Sequence, residues 1–322
     1  MKASVIIPAF NAEKTIEECL KALKAQSLKP FEIIVVDDGS TDNTPKIVKK
    51  IGGIRLLRQE NSGPAKARNF GAENAKGNVL VFTDSDCIAD RDFLREITGP
   101  FEEKNVAGVQ GKYKTKQKEL VARLTQLEIE QRHEKMAKQR FIDFMGSYAA
   151  AYRANVFNAM KGFDTSFPMA SGEDTDLSFR ISKTGKKMVF AEKAVVWHTH
   201  PSSWAKYFKV KFFRAFWRAK IYGKHKGKIV KDAYTSQLLK IQLGLIYLFP
   251  LALIVWAANQ NQFWEPVVIF MAFIATTIPF AFWAIKRDKV VGTLFPFVAI
   301  FRTISFGIGL ICGAVREVRD SI

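Results

Sequence analysis

The chain has 322 residues, 49 Lys and Arg against 31 Asp and Glu, a net charge of +18, a pI near 9.7 and a mean hydropathy of −0.03. Three cysteines, Cys19, Cys87 and Cys312, give neither a disulfide framework nor a zinc-ligand spacing, which points to a reducing compartment. The basic balance suits nucleic acid or an anionic membrane face, but long uncharged runs fill the last third and argue against a nucleic-acid binder.

The first stretch alternates strand and helix signals. Met1-Lys2 leads directly into a strand over Ser4 to Pro8, with no charged and apolar leader pair, so the N-terminal part is expected in the cytoplasm. Asn11 is a candidate cap for a helix that carries Ile16, Leu20 and Leu23 on one face. Ile33 to Val36 reads as a second strand, and Thr44-Pro45 opens the next helix. A short strand over Ile54 to Leu57 follows, then a helix from Pro64 to Lys76 ended by Gly77, then a strand from Val79 to Thr83. All-apolar strands separated by helices predict an α/β fold with a parallel sheet covered on both faces. Ligands of such sheets sit at the carboxyl ends of the strands, where Pro8 to Asn11, Asp37 to Ser40 and Asp84 to Asp86 all fall.

Further on, Val106 to Gln110 predicts a strand and Gln117 to Arg140 a long helix with Leu120, Leu124 and Leu127 inward. Glu173 to Lys183 is a capped helix, and Ala194 to Trp197 an apolar strand followed by His198 and His200. Trp204 to Tyr222 places Phe208, Phe212, Phe216 and Ala219 on one helical stripe, flanked by Lys206, Lys209 and Lys220 on one side and Lys211, Arg214 and Arg218 on the other. That pattern predicts a helix in the headgroup plane, aromatics toward the lipid, with Val210, Phe213, Trp217 and Ile221 on its back. Three apolar segments follow, about 238–258, 264–285 and 290–315, each of a length to cross a bilayer. Lys224, Lys226, Lys228 and Lys231 precede the first, Lys286, Arg287 and Lys289 separate the second and third, and the Asn259 to Gln262 loop is uncharged. The positive-inside rule then puts the N-terminal domain and the Lys286 loop in the cytoplasm of a multi-pass cell-membrane protein. If all three segments cross, the C-terminus lies outside; a re-entrant third segment reverses that. Arg302 lies within the third, where a cation is costly and a lipid phosphate is a natural partner. The expected organisation is a catalytic domain over 1–203, a basic aromatic interface segment over 204–235 and membrane helices over 236–322.

Two acidic clusters carry the chemistry. Asp84-Ser85-Asp86 ends a strand, where two carboxylates one residue apart hold a divalent cation against a diphosphate. Gly172-Glu173-Asp174 opens a helix and supplies a separate candidate general base. Asp176 is the competitor, with Arg180 at i+4 as its structural partner. Together they point to group transfer from a nucleoside diphosphate.

Ser4-Val-Ile-Ile-Pro8-Ala-Phe10-Asn11 and Val36-Asp37-Asp38-Gly39-Ser40-Thr41-Asp42 resemble the opening of family 2 glycosyltransferases with the GT-A fold. Asn61-Ser-Gly63-Pro-Ala-Lys66-Ala-Arg68-Asn69, Asp84-Ser85-Asp86, Gly162-Phe163-Asp164 and Gly172-Glu173-Asp174-Thr-Asp176-Leu177 match further blocks in the same order, over roughly Lys2 to His200. The resemblance implies a Rossmann-like GT-A domain followed by membrane helices. It implies nucleotide contacts at Pro8, Phe10, Asn11, Asp38, Lys66, Arg68 and Ser85, with Phe10 near the base and Asp38 on a uracil-type imide. It implies Mg²⁺ or Mn²⁺ on Asp84 and Asp86, with His198 a further ligand, and Asp174 as base, with Glu173 and Asp176 beside it. The implied donor is a UDP-sugar in preference to a GDP-sugar, with Gln110 to Lys112 and Gly146 to Tyr148 around the sugar. The implied acceptor is a hydroxyl on a lipid or lipid-linked glycan, with Arg214, Trp217, Arg218 and Arg302 on the membrane and acceptor side. Polyprenyl-phosphate glycosyl synthases share the donor site, but their nucleophile is already an anion. Processive polysaccharide synthases carry a Gln-x-x-Arg-Trp block after the base, and the nearest string here, Lys211-Phe-Phe-Arg214-Ala215, lacks both Gln and Trp. A non-catalytic scaffold is disfavoured by the intact acids.

Overall fold

The computed structural model describes residues 1–169, 171–229, 236–259 and 264–319; Lys231 of the expected basic run and residues 260–262 of the expected uncharged loop lie outside the described residues. The chain divides into two compact units, one of Met1–Gln117 with Glu128–His200, the other of Lys118–Leu127 with Pro201–Ile322.

The first unit is built on an eight-stranded sheet. In chain order its strands are β1 (Ala3–Ala9), β2 (Glu32–Asp37), β3 (Arg55–Arg58), β4 (Val79–Thr83), β5 (Ile88–Ala89), β6 (Val106–Lys114), β7 (Ala149–Arg153) and β8 (Lys187–Trp197). Their spatial order is β3-β2-β1-β4-β7-β6-β8-β5. The segment β3-β2-β1-β4 is parallel, as the all-apolar strands require, with Ile33, Val5 and Val81 in register across β2, β1 and β4. Beyond β4 the sheet is mixed: β7 runs antiparallel to both β4 and β6, β6 runs parallel to β8, and β5 runs antiparallel to β8. The physical reason is composition: Ala149-Ala150-Ala151 has little β propensity alone and is made a strand by fully buried neighbours on both sides.

The covering helices are α1 (Ile16–Lys24), α2 (Thr44–Ile51), α3 (Pro64–Glu73), α4 (Phe93–Thr98), the second half of α5 (Leu120–Ala137), α6 (Ala154–Ala159) and α7 (Glu173–Lys183). Ile16, Leu20 and Leu23 are buried under the sheet with Val5, Val35 and Val81. Asn11 does not cap α1, whose N-cap is Thr15. Asn11 instead takes a left-handed conformation at φ 48°, and its side-chain oxygen accepts from the Thr41 N–H at 2.9 Å, fixing the turn after β1 to the turn after β2.

The second unit holds the first half of α5, α8 (Trp204–Lys224), α9 (Gln237–Asn259), α10 (Trp264–Ile285) and α11 (Lys289–Arg319). The last three are long and apolar enough to cross a membrane. Val121, Leu124, Phe280, Phe295 and Val298 share one apolar core, with an Arg123–Asp288 ion pair at 3.3 Å. The Phe208, Phe212 and Phe216 side chains of α8 are half-buried. The backbone of the same helix packs on α11, where a Cβ at Gly309 or Gly313 would collide with the carbonyls of Phe212 and Phe216, a close approach that the small residues of α11 permit.

A buried histidine makes the first unit acid-sensitive. His133, 2 % exposed on α5, bonds the Tyr148 hydroxyl through Nε2 at 3.1 Å, and among the described residues its Nδ1 has no hydrogen-bond partner. Burial, with Arg132 and Lys112 adding, lowers its pKa to about 3. The unfolded chain therefore binds a proton that the fold refuses, and stability present above pH 6.5 is lost as the pH falls toward 3. We expect a loss of about 2 kcal/mol from this residue between pH 7 and pH 5. His133→Gln should flatten the difference between the two pH values in denaturant unfolding by that amount.

Candidate functional site

Three strand ends and one helix start bring the predicted residues to one end of the sheet. Strand β1 delivers Pro8, half-buried and in register with Val36, and then Phe10, whose ring is 49 % exposed. Strand β2 delivers Asp37 and Asp38, and β4 delivers Asp84, Ser85 and Asp86, all three half-buried. Helix α7 starts with Glu173 and Asp174 after Gly172, which takes φ 116°.

Arg68 holds the centre. It is 2 % exposed, donates through Nη2 to Asp84 Oδ1 at 2.7 Å and through Nη1 to Glu173 Oε1 at 2.9 Å, and so ties the metal-type cluster to the base-type cluster. The sequence expectation set Arg68 beside a diphosphate; its guanidinium is committed to these carboxylates instead. Lys66, on the same helix, is exposed. Burial opposes the Arg68 charge, but Asp84, Glu173 and Asp174 outweigh it and hold the pKa above the ordinary value. The three carboxylates of α7 then separate. Glu173 is 1 % exposed, and burial, reinforced by Asp174 and opposed by Arg68, pushes its pKa up. Asp176 is 3 % exposed and bonded to Arg180 Nε at 2.7 Å, while Arg180 Nη2 donates to the Gly162 carbonyl at 2.7 Å. Asp174 is half-buried, and its Oδ1 accepts from the Thr175 N–H at 2.6 Å and the Thr175 hydroxyl at 3.2 Å.

Asp86 is oriented from the other side. Its Oδ2 lies 3.2 Å from His198 Nε2, and His198 Nδ1 lies 3.2 Å from His200 Nδ1. Burial raises the Asp86 pKa, but the hydrogen bond and charge of His198 outweigh it and leave the carboxyl below its usual range. Asp84, Asp86 and Cys87 each place one ligand-type atom within 4.8 Å of the others. Burial keeps the Cys87 thiol far above its ordinary pKa, so it stays protonated and the donors left are carboxylate oxygens. An oxygen set fits Mg²⁺ or Mn²⁺ and not a soft metal.

Asp38 differs from expectation. It is 4 % exposed, Oδ1 accepts from Gln59 Nε2 at 2.7 Å and the Ser62 N–H at 2.9 Å, and Oδ2 accepts from the Gly63 N–H at 2.9 Å. It anchors the loop before α3, and a free base-reading carboxylate is not what the fold presents. Asn69 bonds Phe163 twice, donating to its carbonyl and accepting from its N–H, both at 2.8 Å. Gly162, at φ 66°, is required there because a Cβ would strike Asn69 Oδ1. Sequence reasoning missed a stacked column beside the acids: Tyr148 on Tyr113 at 3.5 Å and Tyr113 on His198 at 4.7 Å between ring centroids. It also missed that Gln110, fully buried, clamps Ala149 and Gly146 and fixes the Tyr148 loop. No local pattern signals either, since the partners lie some 35 to 85 residues apart by number.

In the second unit, Trp217 and Arg218 are 4 % and 3 % exposed, with the Arg316 guanidinium 4.9 Å over the Trp217 ring. They are buried residues and not an acceptor-facing surface as expected; Arg214 is half-buried. Arg302 Nη2 donates to Gln242 Oε1 at 2.8 Å, and Gln242 Nε2 to Thr276 Oγ1 at 3.0 Å, a polar link across α9, α10 and α11.

Removing Arg68 takes from Asp84 and Glu173 the cation they share and leaves their oxygens without a donor. Arg68→Met should lower stability by about 3–5 kcal/mol in denaturant titration, whereas Glu173→Gln, which leaves the Asp84 contact intact, should cost much less.

Residues 4–160 match the sequence profile of Glycosyl transferase family 2. Glycosyltransferase GlyG of Streptococcus pneumoniae is 36% identical over 115 residues, 34% of this chain and 38% of the relative. Poly(ribitol-phosphate) beta-N-acetylglucosaminyltransferase TarS of Staphylococcus aureus is 37% identical over 110 residues, 32% of this chain and 19% of the relative. The chain thus spans well under half the length of the curated relatives it matches. Among solved structures, mannosyltransferase PcManGT from Pyrobaculum calidifontis, in complex with GDP-Man and Mn²⁺, superposes with a TM-score of 0.59 at 20% identity, covering 100% of this chain and 88% of that one. S. aureus TarS 1-349 in complex with UDP gives 0.51 at 21% identity, covering 99% and 92%. Residues 4–160 of this chain are a family 2 glycosyltransferase domain, and the mixed sheet that carries it is the GT-A fold.

Proposed function

We propose that the chain is a membrane-anchored, metal-dependent, inverting glycosyltransferase that moves a sugar from a nucleoside diphosphate, UDP by preference, to a hydroxyl of a lipid or lipid-linked glycan. The observation that carries this reading is the separation of the α7 acids: Glu173 is locked on Arg68, Asp176 on Arg180, and Asp174 alone of the three is half-buried. A hydroxyl acceptor needs a base, and a phosphate acceptor does not, so a positioned Asp174 favours the hydroxyl. UDP comes from the crystal complex of TarS, which is also a relative by sequence. The apolar helices α9 and α10 support the anchor and, with it, an acceptor in the membrane.

In this reading Phe10 offers an exposed ring for the base of the donor. Asp84 and Asp86 would hold Mg²⁺ or Mn²⁺, which when bound offsets charge on the departing nucleoside diphosphate. Arg68 fixes the rotamer of Asp84, and His198 that of Asp86. Asp174 accepts the proton of the acceptor hydroxyl as its oxygen bonds the anomeric carbon, while the bond from that carbon to the diphosphate oxygen breaks on the opposite face. The anomeric configuration inverts.

The test is nucleotide release by full-length protein in lipid, with UDP- and GDP-sugars, Mn²⁺ or Mg²⁺, and EDTA. Asp174→Asn should lower the rate by about 10²–10⁴-fold without changing donor binding. EDTA should abolish turnover, and added membrane lipid should raise it. Turnover that survives Asp174→Asn and requires polyprenyl phosphate would establish the synthase instead, and release from GDP-sugars alone would overturn the uridine assignment.

A further inference from the structure

Helix α8 and the second half of α11 are locked side by side. The Phe208 carbonyl accepts from the Ser305 hydroxyl at 2.8 Å, and the Phe212 and Phe216 carbonyls abut Gly309 and Gly313. Both helices advance by four residues at each contact, so they run parallel over more than two turns, and the depth of one in a bilayer is the depth of the other. Between Lys206 and Lys220, α8 carries six Lys and Arg and no acid. That charge bars α8 from hydrocarbon.

The exposed side of α11 is apolar over the same stretch: Ile304, Ile308, Ile311, Val315 and Val318 recur at steps of three and four. An apolar stripe beside a cationic helix is the pattern of a surface-lying pair. Arg302, bonded to Gln242, stands where this stretch begins. Helix α11 is uninterrupted from Lys289 to Arg319, so a second half held in the headgroup plane keeps the first half from crossing as well. Lys286, Arg287 and Lys289 fall before it, on what charge bias makes the same side as Lys226 and Lys228.

We propose that α8 and α11 beyond Arg302 lie together in the headgroup plane of an anionic phospholipid leaflet, with the Ile304–Val318 stripe toward the acyl chains. The chain then crosses the bilayer only with α9 and α10, and its C-terminus is on the same side as α8. The proposal rests on the membrane anchoring argued above and changes its topology: the third apolar helix is an interfacial element and not a span.

The experiment uses full-length protein in phosphatidylglycerol–phosphatidylethanolamine vesicles. Spin labels are placed singly by Ile304→Cys, Ile311→Cys and Val318→Cys in a Cys312→Ala background, and their depth is read from relaxation by oxygen against a water-soluble nickel chelate. A surface-lying helix gives three equal depths within a few Å. A spanning helix changes depth by about 10 Å at each step, about 20 Å in all, and that gradient overturns the proposal. An unsubstituted chain tagged at both ends supplies a readout free of folding effects: the two tags should be cut by protease from the same side of oriented vesicles, and opposite sides overturn the proposal. Three labels all reached freely by the nickel chelate would overturn the membrane reading itself.

Discussion

The catalytic end of the first unit depends on one buried cation. Arg68 is held by α3 beneath the strand ends, and its two amino groups reach Asp84 after β4 and Glu173 at the start of α7. These carboxylates lie 16 and 105 residues away along the chain. An arginine is suited to this task because its planar fork offers two donors at fixed separation and remains charged when buried. Without it, Asp84, Glu173 and Asp174 would form a cluster of like charge at the edge of an apolar core. With it, the cluster is a framework in which one oxygen of Asp84 is tethered and Asp174 is left at the rim.

The remaining site residues are set by the same logic of tethering. His198 fixes Asp86, and His200 and Tyr113 fix His198. Asp38 fixes the loop that leads into α3, and Asn69 of α3 fixes the Phe163 segment before α7. Several polar residues that fall in motif blocks therefore do structural work near the site, and fewer groups remain to touch a ligand than the motifs imply. A mixed sheet makes this convergence feasible, because β4, β6 and β8 end on one side while the antiparallel β7 begins there and carries the Tyr148 loop to them.

The second unit follows a different principle. Its helices associate by close backbone approach at Gly309 and Gly313, by an aromatic and aliphatic core around Phe280 and Phe295, and by the polar relay from Arg302 to Thr276. At these contacts small residues let two backbones approach closely, and internal hydrogen bonds satisfy the polar side chains.

The sequence alone determined the elements whose residues share one period: β1, β2 and β4 as apolar runs, α7 from Glu173 to Lys183, though without a side-chain cap, and the three long apolar helices. It also determined the candidate acids, because Asp84, Asp86 and Asp174 stand in short local strings at element ends. What it did not determine depends on partners distant in the chain. The strand state of Ala149–Arg153 is imposed by β4 and β6 on either side, and the left-handed Asn11 by the turn at Thr41. The burial of Arg68, the commitment of Asp38 to its own loop and the approach of the Phe212 carbonyl to Gly309 of α11 are likewise tertiary facts. A motif fixes which chemical groups are available and roughly where the chain places them. Which of those groups are spent on one another is decided by packing, since a charge or ring is neutralised or covered only by what the fold brings against it.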